Sequence, residues 1–372
     1  MKKLVLGIFL AASMLLPGCF SYKDINRMAF VTAIIIDVNE KGDPAVYAEV
    51  FRPYRSESDA SGKGQRLVYH ADGENLDEAL RIMQLGSSQR LNFTQNKAII
   101  FTKRATEKGI DFFIDFLNRN QEFLLRQFMF VIDTDPAKFM ESELSEEPYI
   151  GIFLSDICLT RENYAKLHII RIDEYLTERL VGSEVSLIPF INVNNTTFDN
   201  RVSLSGAVVI QNDKFKCMVE VGETREYNIM MNIAHKGILD IKYDDTDNHM
   251  AFEILKNKVT THLTYDGKII TLRKKINLQL SFGETQKALH LNSAATRESI
   301  KAAVEQRMKF EMETLFEKWK TKGVDIFDIK RQFDRIYPNV ELNTDNIIDI
   351  SELELDIDVT LEGSTDVTNF IK

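Results

Sequence analysis

The sequence has few of the residues that mark disulfide scaffolds or flexible linkers. Its 372 residues include three cysteines, seven prolines and 17 glycines. Three cysteines cannot form the dense set of bridges on which small disulfide-rich domains depend. Sparse proline and glycine, together with 44% hydrophobic residues, are typical of a globular chain.

Motifs of common active sites are also missing. The chain contains no HExxH or CxxC pattern, no GxSxG turn and no Gly-rich phosphate loop. The acidic run Asp244–Asp247 is only faintly similar to a calcium loop, because Met250 and Lys256 stand where such a loop needs Gly and Glu. We therefore predict no catalytic, metal-binding or cofactor-binding residues, and a protein that is not an enzyme.

The chain has fewer basic than acidic residues. The chain has 46 Lys and Arg against 56 Asp and Glu, a net charge of −10. Nucleic-acid binding depends on Lys and Arg that neutralise phosphates, so nucleic acid is excluded as the main partner. The same charge disfavours an electrostatic hold on anionic lipid headgroups.

The N-terminal residues show the pattern of a secretion signal. Lys2 and Lys3 precede an apolar run, Leu4–Leu16, whose 13 residues are too few for the about 20 that a membrane-spanning helix needs. The run matches the apolar region of a signal peptide. It ends in Leu16-Pro17-Gly18-Cys19, which resembles a bacterial lipobox. Cleavage by the ordinary signal peptidase and an uncleaved anchor remain alternatives.

The lipobox resemblance implies cleavage before Cys19 and lipid attachment to its sulfur. Residues 1–18 would then be a signal peptide, and the remaining 354 residues, with a net charge of −12 after loss of two lysines, would lie outside the cytoplasm. A single acyl chain binds membranes only marginally, whereas two or three anchor stably. No later apolar run approaches 18 residues. Cys158 and Cys217 could pair, but we favour two buried free thiols.

The pattern of apolar residues predicts alternating strands and helices in the first part of the chain. Met28–Val38 is nearly all apolar, as expected of a strand buried on both faces. A polar loop is predicted at Ser56–Gln65. The other predicted elements are strands at 45–51, 67–70, 98–102 and 128–133, helices at 75–85 and 105–120, and a more helical stretch at 148–182.

The second part of the chain has a different character. Polar Asn192–Asn200 predicts a loop and a domain boundary. Two antiparallel hairpins follow, 204–210 with 214–221 and 258–264 with 269–282, the second around an Asp-Gly turn. Ala294–Lys322 repeats apolar residues at three- and four-residue steps, as a long amphipathic helix does. Ser351–Glu362 alternates strictly and predicts a strand whose odd-numbered apolar residues, Leu353 to Leu361, face inward.

Together these patterns predict a mixed α/β protein of several domains. The expected units are an N-terminal α/β domain at 19–147, a more helical middle region at 148–197, and a C-terminal domain at 198–372 with antiparallel hairpins and a long helix. A mature chain of this length exceeds the size at which a single core stops growing.

The order of short motifs resembles the Ger(x)C family, the lipoprotein C subunits of spore germinant receptors. The Cys19 lipobox is followed by Lys23–Arg27 and by a strand ending in Ile36-Asp37. The matching segments that follow are Gly73–Asn75, Glu78-Ala79, Lys97–Phe101, Lys108–Ile110, Asp115–Arg119, Ser205–Val209, Lys214-Phe215, Glu223–Arg225, Trp319 and Tyr337-Pro338. Ile35 and Glu226 depart from the family pattern, which usually has Gly at both positions.

The resemblance implies a lipid-anchored protein on the outer face of the spore's inner membrane. It would act with an A subunit and a transporter-like B subunit that respond to nutrients, and would carry out no catalysis. The resemblance also implies a fold of three α/β domains. An alternative is the solute-binding lipoprotein of a membrane transporter, which predicts two doubly wound lobes around a ligand cleft. A lipid-anchored hydrolase is a weaker alternative, since no nucleophile motif is present.

Overall fold

The structure is a computed structural model. It describes residues 27–52, 65–142, 144, 147–161, 164–196, 199–242, 249–285, 289–290, 293–344, 346–362 and 369–370. Among these residues, no helix combines the length and the apolar character needed to cross a membrane.

A large mixed sheet forms the first half of the molecule. Its spatial order is β3-β2-β1-β5-β6-β7-β8-β9, with β4 also paired to β1. The central strands β1, β5, β6 and β7 run parallel, and antiparallel strands extend both edges. The strands are β1 (Met28–Val38), β2 (Pro44–Arg52), β3 (Gln65–Asp72), β4 (Arg90–Asn92), β5 (Ala98–Thr102), β6 (Phe128–Ile132), β7 (Val185–Thr196), β8 (Asp199–Gln211) and β9 (Lys214–Val219).

Helices cover both faces of this sheet. Apolar side chains of α1, α3 and α6 form one core with it, and those of α4 and α5 form a second core on the opposite face. The first six helices are α1 (Leu76–Leu85), α2 (Lys103–Lys108), α3 (Asp111–Arg119), α4 (Pro136–Met140), α5 (Ile150–Thr160) and α6 (Ile172–Glu178); Phe93–Gln95 is a 3-10 helix. Strand β1 contributes to both cores, which confirms the prediction that it is buried on both faces.

The helix predicted at 105–120 is wrong as a single element. The chain forms α2 and α3, separated at Gly109, whose φ is +121°. The next residue, Ile110, donates its N–H to the carbonyl of Asp213 at 2.9 Å. Asp213 lies in the turn between β8 and β9, far away in sequence. Its carbonyl accepts the N–H that a continuous helix would bond to a carbonyl of its own preceding turn.

The polar segment Asn192–Asn200 is not the predicted loop over most of its length. Residues 192–196 belong to β7 and 199–200 to β8, and the two strands pair in antiparallel register. The predicted 204–210 and 214–221 hairpin is confirmed as β8 and β9, but it extends the first sheet. The division into domains at 147 and 197 stays a prediction.

A second, four-stranded sheet follows in the order β10-β11-β12-β14. The β11–β12 pair confirms the predicted Asp-Gly hairpin. Strand β14 runs parallel to β12, so the sheet is mixed at that edge. The remaining elements are α7 (Val221–Met230), β10 (Ile238–Lys242), β11 (His249–Tyr265), β12 (Ile270–Thr285), β13 (Leu289–His290), α8 (Ala294–Thr321), α9 (Ile329–Ile336), a 3-10 helix (Ile347–Ile350), β14 (Ser351–Glu362) and β15 (Asn369–Phe370), with β13 paired to β15.

The long helix α8 packs on this sheet as predicted. Ser293 caps its first turn by accepting the Thr296 N–H at 3.4 Å, and Gly323 follows its end with a φ of +64°. Its buried stripe is the predicted one: Ile300, Val304, Met308, Met312, Leu315, Phe316 and Trp319. Each such side chain contributes about 1.5–3 kcal/mol on burial, so the stripe holds the helix to the sheet.

Candidate functional site

A polar cleft opens beside the second sheet. It lies between the C-terminal end of α7, the strands β11 and β12, and the helix α9, and its volume is about 530 Å³. We call it the Lys274 cleft and define it by its polar wall residues Asn232, Thr261, Lys274, Asp328, Arg331, Gln332 and Arg335.

Lys274 is the most unusual residue of this wall. It is only 2% exposed, because β12 turns it to the same side as the core residues Leu272 and Ile276. Its Nζ donates to the carbonyl of Met230 at 3.1 Å and to Oγ1 of Thr261 at 3.2 Å. In the part of the chain that the structure describes, no carboxylate oxygen lies within 4 Å of this ammonium.

Burial lowers the pKa of Lys274 from 10.5 to about 8. The cause is the cost of holding a charge away from water, and the negative charges of Asp328 and Asp325 oppose the shift. A pKa near 8 leaves Lys274 mostly protonated at neutral pH. The wall therefore carries a buried positive charge held only by neutral hydrogen-bond acceptors.

Two aspartates shape the turn that leads into α9. The Asp325 carboxylate accepts hydrogen bonds from the backbone N–H groups of Phe327, Ile329 and Lys330 at 2.9–3.2 Å. It also accepts one from the hydroxyl of Ser183 at 2.8 Å. These bonds fix the start of α9 and tie it to the segment before β7. They also oppose the upward shift that burial gives the pKa of Asp325.

Asp328 stands directly before α9 and faces the cleft. Its backbone is left-handed, with a φ of 63°, and its carboxylate forms an ion pair with Arg331 at 3.6 Å. Burial raises the pKa of Asp328 from 3.8 to about 6, and Arg331 opposes that rise. With Lys274, Arg331 and Arg335 against Asp328, the wall has two positive charges in excess.

A second cavity of about 210 Å³ adjoins the Lys274 cleft and shares Asp328 and Arg331 with it. Its other wall comes from the first half of the chain and includes His168 and Glu178. Burial raises the pKa of Glu178 to about 7 and lowers that of His168 to about 4. The junction of the two halves is therefore lined by ionisable groups whose charge is costly to bury.

Sequence reasoning missed the Lys274 cleft, although one signal was available. Ile276, Leu278 and Leu280 mark the inward face of β12. Lys274 is two residues before Ile276 in the same alternation, so it lies on that face too. A charged residue at an inward position is unusual because burying a charge is costly. The cleft itself could not be found this way, since α9 reaches it from about 55 residues further along the chain.

The residues that the sequence singled out lie elsewhere. Cys19 and Asp244–Asp247 are outside the described residues, as is the loop at Ser56–Gln65 apart from Gln65, which begins β3. Cys158 and Cys217 are free; the first is buried and the second half-buried. Burial raises the pKa of the Cys158 thiol to about 12. Among the described residues, no three His, Cys, Asp or Glu side chains are placed to hold a metal.

Comparison with known families accounts for almost the whole chain. The sequence model of a spore germination protein N-terminal domain matches residues 21–193. That of a spore germination B3/GerAC-like C-terminal domain matches residues 205–364. The chain belongs to the Ger(x)C family. The gap between the two matches falls at the β7–β8 hairpin.

Curated Ger(x)C relatives include two Bacillus proteins. Spore germination protein KC of Bacillus subtilis (strain 168) is 32% identical over 129 residues, which cover 33% of this chain and about a third (32%) of that protein. Spore germination protein GerQC of Bacillus cereus is 20% identical over 333 residues, or 89% of each chain.

The fold is also that of a solved Ger(x)C structure. The crystal structure of the GerBC protein superposes with a TM-score of 0.52 at 13% identity, covering 88% of this chain and 96% of that one. The match confirms the predicted mixed α/β fold.

Proposed function

We propose that the chain is the lipid-anchored C subunit of a nutrient germinant receptor. In this role it helps to trigger spore germination by protein–protein contact, without catalysis of its own. The observation that carries the proposal is the ordered match of both spore germination domains to residues 21–193 and 205–364. Membership of this family implies a receptor complex, and the partners we propose are its A and B subunits.

The N-terminal sequence supports attachment to a membrane. Leu16-Pro17-Gly18-Cys19 follows an apolar run, and the seven residues Ser21–Arg27 lead directly to β1. A lipid on Cys19 would hold the first sheet near the outer face of the membrane, which in the spore is the inner membrane. Seven residues span at most about 25 Å when fully extended.

The structure gives less support to the alternative of a transporter's solute-binding lipoprotein. That reading predicts a second doubly wound lobe of parallel strands with helices between them. The second sheet is instead antiparallel over β10, β11 and β12, and only the edge strand β14 runs parallel to its neighbour. We therefore retain the receptor subunit as the proposed function.

A Cys19→Ala variant tests the anchor and the assembly together. Cells sporulating in radiolabelled palmitate should label the wild-type chain and a Cys217→Ala control, but not Cys19→Ala. The membrane fraction should contain the first two together with the A and B subunits, whereas Cys19→Ala should remain an uncleaved precursor or be released from the membrane. Spores with Cys19→Ala should germinate poorly with nutrient and normally with a nutrient-independent trigger.

Two results would count against the proposal in different ways. Equal palmitate labelling of Cys19→Ala and wild type would reject the lipid anchor alone. Normal nutrient germination of spores that lack the whole chain, with every other receptor deleted, would reject the receptor role.

A further inference from the structure

The Lys274 cleft presents hydrogen-bond donors on several sides. Lys274 has a third N–H whose nearest partner is the weak acceptor Sδ of Met231, at 3.9 Å. The Thr261 oxygen already accepts from Lys274, so its own O–H is available to donate toward the cleft. Asn232 accepts the Val259 N–H through Oδ1 at 3.0 Å, which leaves its amide N–H groups as the part it offers.

The charges at the wall favour the same kind of partner. Arg331 is paired with Asp328, so Lys274 and Arg335 account for the excess positive charge. Lys274 is 98% buried and has no carboxylate partner among the described residues. Asp328 and Asp325 act on this ammonium from a distance and do not pair with it directly. A buried ammonium without a direct ion pair is unfavourable, and an anion bound in the cleft would relieve part of that cost.

We propose that the Lys274 cleft binds a small dianionic oxyanion, the class that includes dicarboxylates and phosphate monoesters. Lys274 and Arg335 contact the two charged ends or edges of the ligand, and Thr261 and Asn232 donate neutral hydrogen bonds. The volume of about 530 Å³ lies within the range of small-molecule sites. This binding is separate from the proposed receptor role and does not depend on it.

Calorimetric titration of the full-length chain, purified in detergent, tests the proposal. The probes are succinate and inorganic phosphate, with acetate as the monoanion and sodium chloride at matched ionic strength. We expect succinate or phosphate to bind with a dissociation constant below about 10 mM, and acetate to bind more weakly. Tighter binding of succinate would indicate a carboxylate ligand, and tighter binding of phosphate would indicate a phosphate ligand.

Variants of the wall provide the decisive comparison. Lys274→Met keeps the size of the side chain and removes the charge, so affinity should fall at least about tenfold, as expected for a lost charge-assisted hydrogen bond. Lys275→Met is the matched control. It lies next in β12 on the exposed side, paired with Asp356 at 3.4 Å, and should leave affinity unchanged.

A stability readout separates binding from a structural role. Without ligand, Lys274→Met should melt at the wild-type temperature or higher, because it removes a buried charge. If Lys274→Met does not fold, the binding test uses Arg335→Gln, a change at an exposed residue that should also weaken binding. The proposal is overturned if neither dianion binds wild type more than chloride does, or if the Lys274→Met and Arg335→Gln variants bind as tightly as wild type.

Discussion

The buried carboxylate of Glu49 accepts the backbone N–H of Gly151 at 3.0 Å and thereby caps the first turn of α5. Its other oxygen accepts the N–H of Ile150 at 2.8 Å. Arg66 and Thr32 bind the same carboxylate, each at 2.7 Å. A negative charge at a helix N-terminus is favourable, so Glu49 joins α5 to the strands β1, β2 and β3.

Gly151→Ala should destabilise the protein because α5 lies directly against β1. A Cβ at this position would stand 2.0 Å from the carbonyl oxygen of Thr32, so the helix would have to move away from the sheet. We expect a loss of at least about 1–3 kcal/mol in the free energy of unfolding, measured by denaturant titration. The matched control is Gly222→Ala in α7, where nothing lies within 4 Å, and that change should be neutral or stabilising. Equal denaturation midpoints for the two variants would contradict the close packing of α5.

Leu355→Asp should destabilise the second sheet, because Leu355 is 9% exposed and belongs to the core beneath α8. The loss combines about 1.5–3 kcal/mol of burial with the cost of burying a charge. The neighbouring Asp356→Asn changes an exposed residue paired with Lys275 and should cost less than about 1 kcal/mol. Thermal melts of both variants test the strand register. The register would be wrong if the two variants had the same melting temperature.

Glu178 should make the protein less stable as pH rises from about 4.5 to about 7. Its pKa in the folded state, about 7, lies above the ordinary 4.5, so the folded state holds the proton more tightly than the unfolded state. Glu178→Gln removes this effect and should raise stability by about 1–3 kcal/mol at pH 8 and hardly at all at pH 4. The exposed Glu317→Gln serves as control. Parallel pH profiles for wild type and Glu178→Gln would contradict the raised pKa of this half-buried carboxyl.

Local sequence patterns predicted most elements because their causes are local. The α8 stripe follows from helical spacing, and the bounds of β14 follow from strict alternation. Of the five apolar residues of β14 that were predicted to face inward, Leu355 and Val359 are buried, while Leu353, Ile357 and Leu361 are half-buried at the sheet edge. The extent of burial depends on contacts with neighbouring elements, and the alternating pattern carries no information about those contacts.

Contacts between distant segments explain what could not be predicted. The break at Gly109 depends on a bond from Ile110 to Asp213, and the polar strands β7 and β8 are held by their mutual pairing. The Lys274 cleft combines residues from four elements, the end of α7, β11, β12 and α9. From the sequence alone, only the position of Lys274 on the inward face of β12 could be recognised. The lipidation of Cys19 rests on the lipobox, a continuous motif, and stays a prediction.

Germination with a lengthened tether tests the proposed function most directly. A Gly/Ser linker of about 20 residues inserted after Tyr22 would leave the anchor and the fold intact but add roughly 25 Å of root-mean-square reach between membrane and β1. The same linker appended after Lys372 is the control. If the subunit acts by contact at the membrane, spores with the insertion should germinate slowly with nutrient and normally with a nutrient-independent trigger, while the control germinates normally with both. Unchanged nutrient germination at normal protein levels would contradict that account.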